Sequence, residues 1–381
     1  MDDLRVAASA WRLDPAVAFL NHGSFGACPQ PVLDAQTAWR ERMEAEPVLF
    51  LDREIDDLLS GARARVTAFL RADAAGLAFV ANTTTAVSTV LASHPLGEGD
   101  EIVTTDHAYG AVRAALRRAC ERTGATLRIA RIPLPLDDPS LVAGAIARMI
   151  GGRTRLVVAD HVSSPSALVF PVEQIVAACR ERDAPVMIDA AHSPGMIDTG
   201  VDALAPDFWC GNLHKWLCAP KGSAVLWVSP DHRDRIRPLA TSHDHLETFH
   251  ARFDWTGTYD PTPILAAPAA VDFFDALGWD RVRAHNDALA EHGRATVAAA
   301  IGAGRVAPEG MHAAMSAVPL RAGVAGSREQ AMALTRRLYD EHRIEVPVNL
   351  VAGQSVLRLS AQLYNAPADY ERLAAVLPSI L

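Results

Sequence analysis

Short apolar runs separated by longer amphipathic stretches set the rhythm of this chain of 381 residues. Leu77-Ala78-Phe79-Val80 and the segments 101–105, 126–132, 155–159, 185–188 and 223–228 are brief, largely aliphatic and bounded by polar residues, Gly or Pro. Runs of that length and uniformity predict strands covered on both faces. Helical patterns fall between them, at 86–92, 111–122 and 141–150. Strand and helix alternating at this spacing predict an α/β domain with a mostly parallel sheet of about six or seven strands and right-handed crossovers. Ahead of it, 31–59 reads as charged helix broken near Pro47, with a further helix ending near Arg71. Beyond residue 263 the pattern changes to helices at 264–277, 279–300 and 328–341 with strands at 314–319, 346–350 and 356–359, which predicts a smaller α+β domain. The expected division is an amino-terminal arm, 1–20, packing with the small domain; a large domain, 21–262; and a small carboxyl-terminal domain, 263–381.

Composition narrows the function classes. Half of the residues are apolar and 21% are charged, which describes a globular chain rather than a disordered one. A formal net charge of -9 gives no long-range attraction for nucleic acid or anionic lipid, and no basic stripe with interleaved aromatics is present, so neither partner is expected. No apolar stretch approaches the roughly 20 residues needed to cross a bilayer. The start, Met-Asp-Asp, has no basic region leading an apolar core. Five cysteines, an odd count scattered without metal spacing, fit free thiols in a reducing compartment, and the cytoplasm is the expected location. His243-Asp244-His245 is tightly spaced but lacks a closed set of further ligands, so no metal is expected.

Candidate chemistry gathers where strands end. Trp209-Cys210-Gly211-Asn212-Leu213-His214-Lys215-Trp216 sets a lysine among aromatic and apolar residues, where desolvation lowers the amine's pKa and makes it a nucleophile suited to a Schiff base. A lone lysine would more often snorkel from a helix edge, so the rest of the chain must supply the partners of an aldehyde cofactor. Pyridoxal phosphate needs an amine, an acid beside its ring nitrogen, donors for its phosphate and a flat group over its ring. Lys215 offers the first. Asp189, closing the apolar run 185–188, offers the second, although alone it reads as well as a turn cap. Thr83 and Thr84, opening a helix after a strand, could take the phosphate with Asn212 and His214. His107 or Tyr109, at the exit of 101–105, could cover the ring, and His192 could reach the ring hydroxyl or the substrate. Dinucleotide and phosphate-loop fingerprints are absent, and His22-Gly23-Ser24-Phe25-Gly26 lacks the spacing of a nucleophile elbow.

The ordered series Asn21-His22-Gly23-Ser24-Phe25-Gly26, Asn82-Thr83-Thr84-Thr85, Asp106-His107-Ala108-Tyr109-Gly110, His161-Val162-Ser163-Ser164-Pro165, Asp189-Ala190-Ala191-His192, Gly211-Asn212-Leu213-His214-Lys215-Trp216, Trp255-Thr256-Gly257-Thr258 and Arg358-Leu359-Ser360-Ala361-Gln362 resembles the aminotransferase class V family of pyridoxal-phosphate fold type I, and within it the isopenicillin N epimerase-like group. The resemblance implies that Lys215 carries the Schiff base, Asp189 faces the ring nitrogen, His192 neighbours the phenolic oxygen and Arg358 binds the substrate α-carboxylate, with Asn21 and His22 near the substrate. It also implies a homodimer in which Thr258 reaches the phosphate of the neighbouring subunit. Two departures stand out. Tyr259 follows the Thr-Gly-Thr triplet where many relatives carry arginine, and 343–356 lacks the catalytic cysteine of related desulfurases.

The reaction expected from this resemblance is epimerisation of an amino acid, with Lys215 as base, Asp189 as electrostatic support, and Tyr109 or His22 as candidates for the acid on the opposite face. The alternative is a β-eliminating C-S lyase on a cysteine-derived substrate. Transamination and cofactor binding without turnover rank below both.

Overall fold

The computed structural model describes residues 2–381. Seven strands form the main sheet: β1 (Leu77–Val80), β2 (Glu101–Thr105), β3 (Thr126–Ala130), β4 (Thr154–Asp160), β5 (Val186–Asp189), β6 (Phe208–Asn212) and β7 (Ala224–Val228). Their spatial order is β1-β7-β6-β5-β4-β2-β3. From β6 to β3 every pair is parallel, whereas β7 runs antiparallel to both β6 and β1. The sheet is therefore mostly parallel, as the apolar runs predict. Successive side chains alternate between two cores: Phe79, Val103, Val157, Ile188, Trp209 and Val225 face one side, and Ala78, Ile102, Leu156, Met187, Phe208 and Leu226 the other. Both faces are covered, which is why the strands read as continuous apolar runs instead of alternating ones.

One strand differs from expectation. Residues 208–212 read as the approach to the lysine loop, but they form β6, in the interior of the sheet. Gly211 explains both facts: a Cβ there would fall 2.6 Å from the Trp209 ring and 2.7 Å from Pro194, so this crowded strand needs a residue that weakens its apparent strand propensity.

Helix α1 (Thr83–Ser93) starts three residues after β1, capped by the Asn82 side chain, which accepts the Thr85 N–H at 2.8 Å. Helix α2 (Gly110–Thr123) follows β2 in the same way. The helical stretch ahead of the sheet breaks at 46–48, beside Pro47, and resumes through a wide turn at 49–54.

A second, three-stranded antiparallel sheet follows, with β10 (Gln354–Ser360) between β8 (Met315–Pro319) and β9 (Val348–Val351). Helices α3 (Trp279–Ile301) and α5 (Pro367–Ile380) pack against each other on this sheet, while α4 (Arg328–His342) packs against β9. Ahead of the large sheet, Ala18–Phe19 pairs in parallel with Ile344–Glu345, and Trp11 sits edge-on to Phe273 and Tyr364. No described helix is long and apolar enough to cross a membrane.

Gly293 of α3 lies under the fully buried Tyr370 ring, whose hydroxyl donates to the Ser360 carbonyl at 2.8 Å. A methyl group there would overlap the ring, whereas one on exposed Gly61, also helical, meets nothing. Urea denaturation should therefore show opposite signs: Gly61→Ala stabilises by up to about 1 kcal/mol through helix propensity, and Gly293→Ala destabilises by about 1–3 kcal/mol through overpacking.

Candidate active site

A cavity of about 320 Å³ opens at the carboxyl ends of the parallel strands, where open α/β sheets place their ligands. Its wall takes Thr83 and Thr84 from the start of α1, Tyr109 from the β2 exit, Asp160 from β4, Asp189 and His192 from the β5 exit, and Asn212, His214 and Lys215 from the β6 exit. Ser24 and Phe25 arrive from the amino-terminal loop, and Ser164 from the loop after β4.

Lys215 Nζ lies 3.1 Å from His192 Nε2. The Trp216 indole N–H donates to His192 Nδ1 at 3.3 Å, so the neutral ring carries its proton on Nε2 and donates it to the amine. An amine in that position must present a lone pair. Burial and the nearby Arg358 charge lower its pKa to about 7, against the opposing pull of Asp189. His192 is likewise held well below its ordinary value by burial and by Lys215.

The lysine main chain is fixed from three sides. His22 Nε2 donates to the Lys215 carbonyl at 3.1 Å, leaving Nδ1 to accept from the Tyr364 hydroxyl at 2.8 Å. A Cβ on Gly26 would fall 2.5 Å from the same carbonyl, and one on Gly195, which has φ +90°, 2.5 Å from the Trp216 carbonyl. His22 thus differs from expectation: it is wholly buried, does not line the cavity, has both ring nitrogens committed, and has its pKa lowered to about 3 by burial. Its ring ties the Lys215 main chain to Tyr364.

At the α1 end, Asn212 Oδ1 accepts the Thr83 N–H at 3.0 Å and its Nδ2 donates to Thr83 Oγ1 at 3.3 Å. Asn212, expected as a phosphate donor, ties the end of β6 to the start of α1. His214 Nδ1 donates to the Ser223 carbonyl at 2.8 Å, and burial lowers its pKa to about 4. Its neutral ring therefore offers an acceptor at Nε2, while the N-terminus of α1 and Thr84 present donors on the same cavity.

Arg358, from β10, is buried, and its guanidinium is held only by neutral acceptors: Asn21 Oδ1 at 3.0 Å, Ser24 Oγ at 2.7 Å, and the Ser164 carbonyl and hydroxyl at 2.8 and 3.2 Å. Among the described residues no carboxylate forms an ion pair with it, its Nε has no partner, and burial lowers its pKa to about 10. Such a cation suits an incoming carboxylate. Asn21 does not line this cavity; it supports Arg358 and donates to Glu345 Oε1 at 2.9 Å.

Of the two candidates for the ring face, Tyr109 lines the cavity and His107 does not. His107 is turned beneath the sheet edge, fully buried, with its nitrogens on Ser166 Oγ at 2.9 Å and the Ile132 carbonyl at 3.2 Å. Thr258 is exposed and stands outside this chain's own cavity. Tyr259 donates to the Asp254 carbonyl at 3.3 Å. Among the described residues no group of three or more His, Cys, Asp or Glu is assembled for a metal.

Three participants escaped the sequence reading. Ser24 and Ser164 lie within motifs quoted above but were not assigned to Arg358. Asp160 was missed because its importance comes from the strand beside it.

An amine with a lowered pKa, a buried carboxylate at a strand end and a threonine-bearing helix N-terminus on one cavity fit pyridoxal phosphate. Residues 20–373 match the family model for aminotransferase class-V. The chain belongs to the aminotransferase class-V family. As a member it is a pyridoxal-phosphate-dependent enzyme acting on an amino-acid substrate. It is 35% identical over 402 residues to isopenicillin N epimerase of Amycolatopsis lactamdurans, spanning 98% of this chain and 100% of that one. It is 31% identical to the putative L-cysteine desulfhydrase 1 of Oryza sativa subsp. japonica, spanning 94% of this chain and 82% of that one. The solved complex between the cystine C-S lyase C-DES and its reaction product cysteine persulfide has the same fold, with a TM-score of 0.80 at 21% identity over 94% of this chain and 96% of that one.

The lowered lysine pKa has a stability consequence in protein freed of cofactor. Between about pH 7, the folded value, and 10.5, the ordinary value, the unfolded lysine binds more proton than the folded one, so stability rises with pH across that window. Thermal melts of cofactor-free wild type and Lys215→Met across about pH 7 to 10 should show this rise in wild type and lose it in the variant.

Proposed function

We propose that this enzyme is a C-S lyase that releases a thiol from a cysteine-type amino acid by β-elimination. The carrying observation is that proton-transfer capacity at the amine is concentrated in one pair, Lys215 and His192, while His22, one of the two candidates for an acid on the opposite face, is committed to Tyr364 and the Lys215 carbonyl. Elimination needs one base. Inversion needs a base and an acid on opposite faces.

Arg358 binds the substrate α-carboxylate, and the neutral Lys215 amine takes the α-proton. Bound pyridoxal phosphate supplies the electron sink that makes this proton acidic, supported electrostatically by Asp189. The Cβ–S electron pair leaves on sulfur, which becomes a thiol on protonation. The unsaturated amino acid left behind takes up water to give pyruvate and ammonia, so substrate plus water balances with thiol, pyruvate and ammonium. Lys215 and His192 form the relay that returns the proton.

The plant relative named as a putative L-cysteine desulfhydrase supports this reading. Epimerisation is the second reading, favoured by the full-length similarity to the Amycolatopsis enzyme; Tyr109, on the cavity wall, is then the acid. The proposal includes a homodimer in which Thr258, exposed and outside its own cavity, completes the neighbouring site.

Single-enantiomer L-cysteine, L-cystine and S-substituted cysteines incubated with holoenzyme in heavy water separate the readings. Elimination gives pyruvate, ammonia and the sulfur product in equal amounts, which is hydrogen sulfide from cysteine, a thiol from S-substituted cysteines and a persulfide from cystine; deuterated amino acid of inverted configuration, without pyruvate, overturns it. Arg358→Lys keeps the charge but loses the fork, and kcat/KM should fall roughly 10- to 100-fold, the worth of one or two charge-assisted hydrogen bonds.

A further inference from the structure

Strands β4 and β5 run parallel and end level, with Asp160 and Asp189 as register partners. Both carboxylates line the catalytic cavity, and both are buried, at 3% and 4% exposure. Their support is unequal. Asp189 Oδ1 accepts the Ala191 N–H at 3.1 Å, and Lys215 lies near enough to favour its charged form. Asp160 Oδ2 has no hydrogen-bond partner among the described residues.

A carboxylate with an uncommitted oxygen, buried beside another carboxylate, is the arrangement in which a proton is retained. Around Asp160, burial and the Asp189 charge oppose ionisation more strongly than its own backbone amide, the Arg113 guanidinium and the Tyr109 backbone amide favour it. Arg113 is also engaged elsewhere, donating to the Asp106 carbonyl at 3.3 Å. Asp189, with the Ala191 amide donating to it, is the better seat for a single negative charge.

We propose that Asp160 and Asp189 hold one proton between them, carried on Asp160 Oδ2, so that the cavity presents a neutral carboxylic-acid donor beside its ionised carboxylate. The donor serves an acceptor oxygen of the molecule bound in the cavity, since no protein acceptor is within reach of Oδ2. It also limits the local charge. A second negative charge beside Asp189 would favour the protonated form of Lys215 and remove the base. The inference concerns the resting site and stands apart from which product leaves it.

Infrared difference spectroscopy of holoenzyme at about pH 8, well above the ordinary aspartate range, reads the proton directly. Wild type minus Asp160→Asn should give a protonated-carboxyl band that moves in heavy water. Loss of an ionised-carboxylate band instead, or no difference at all, overturns the proposal. Cofactor affinity gives a second, independent readout by absorbance titration. Asp160→Asn retains a neutral donor and should bind pyridoxal phosphate within about threefold of wild type; Asp160→Leu, with no donor, should bind about tenfold more weakly. Equal weakening by both variants would mean that the charge matters and the donor does not, and would also overturn it. Should Asp160→Leu fail to fold, the infrared comparison decides alone.

Discussion

Two basic side chains, Lys215 and Arg358, share one enclosed site, and the architecture around them follows from keeping the first neutral and the second charged. The distinction is drawn by partners. Lys215 meets an imidazole whose tautomer is set by the Trp216 indole, so it is offered a proton donor and retains its lone pair. Arg358 meets a carbonyl, an amide oxygen and two hydroxyls, all acceptors, so its charge is solvated without being cancelled. Were a protein carboxylate to replace one of those acceptors, the site would satisfy itself and lose its appetite for an external anion.

The sheet supplies this selectivity cheaply. Parallel strands ending at one edge deliver polar residues to a common rim while their apolar bodies form two cores, so chemistry and stability draw on different residues of the same strand. β5 shows the division within four residues: Val186, Met187 and Ile188 pack, and Asp189 works. Glycines at 26 and 195 then allow backbone to approach the lysine segment closely enough to hold it by its main chain.

Residues whose role depends on their own strand were legible from sequence. Lys215, Asp189, Thr83 and Tyr109 stand at the exits of recognisable apolar runs, and the structure brings them to one cavity. Histidines were harder. His107 and His22 occupy the same kind of position, yet both are fully buried and spent on hydrogen bonds to the protein, a difference in side-chain direction that no local pattern carries. Asp160 posed the opposite difficulty: nothing in its neighbourhood along the chain distinguishes it, because its partner Asp189 is adjacent only once the order of strands is known. β6 was hidden by Gly211, a residue demanded by packing and misleading to propensity.

Arg358 belongs to the three-stranded sheet, Ser164 to the loop leaving β4, and Asn21 and Ser24 to the segment that follows the Ala18–Phe19 strand, which is itself stitched to Ile344–Glu345. The guanidinium is therefore a rivet through three parts of the chain far apart in sequence. Any tilt of the smaller sheet against the larger must drag this rivet, so the bonds that seat the cation at the cavity are also bonds that set one sheet against the other.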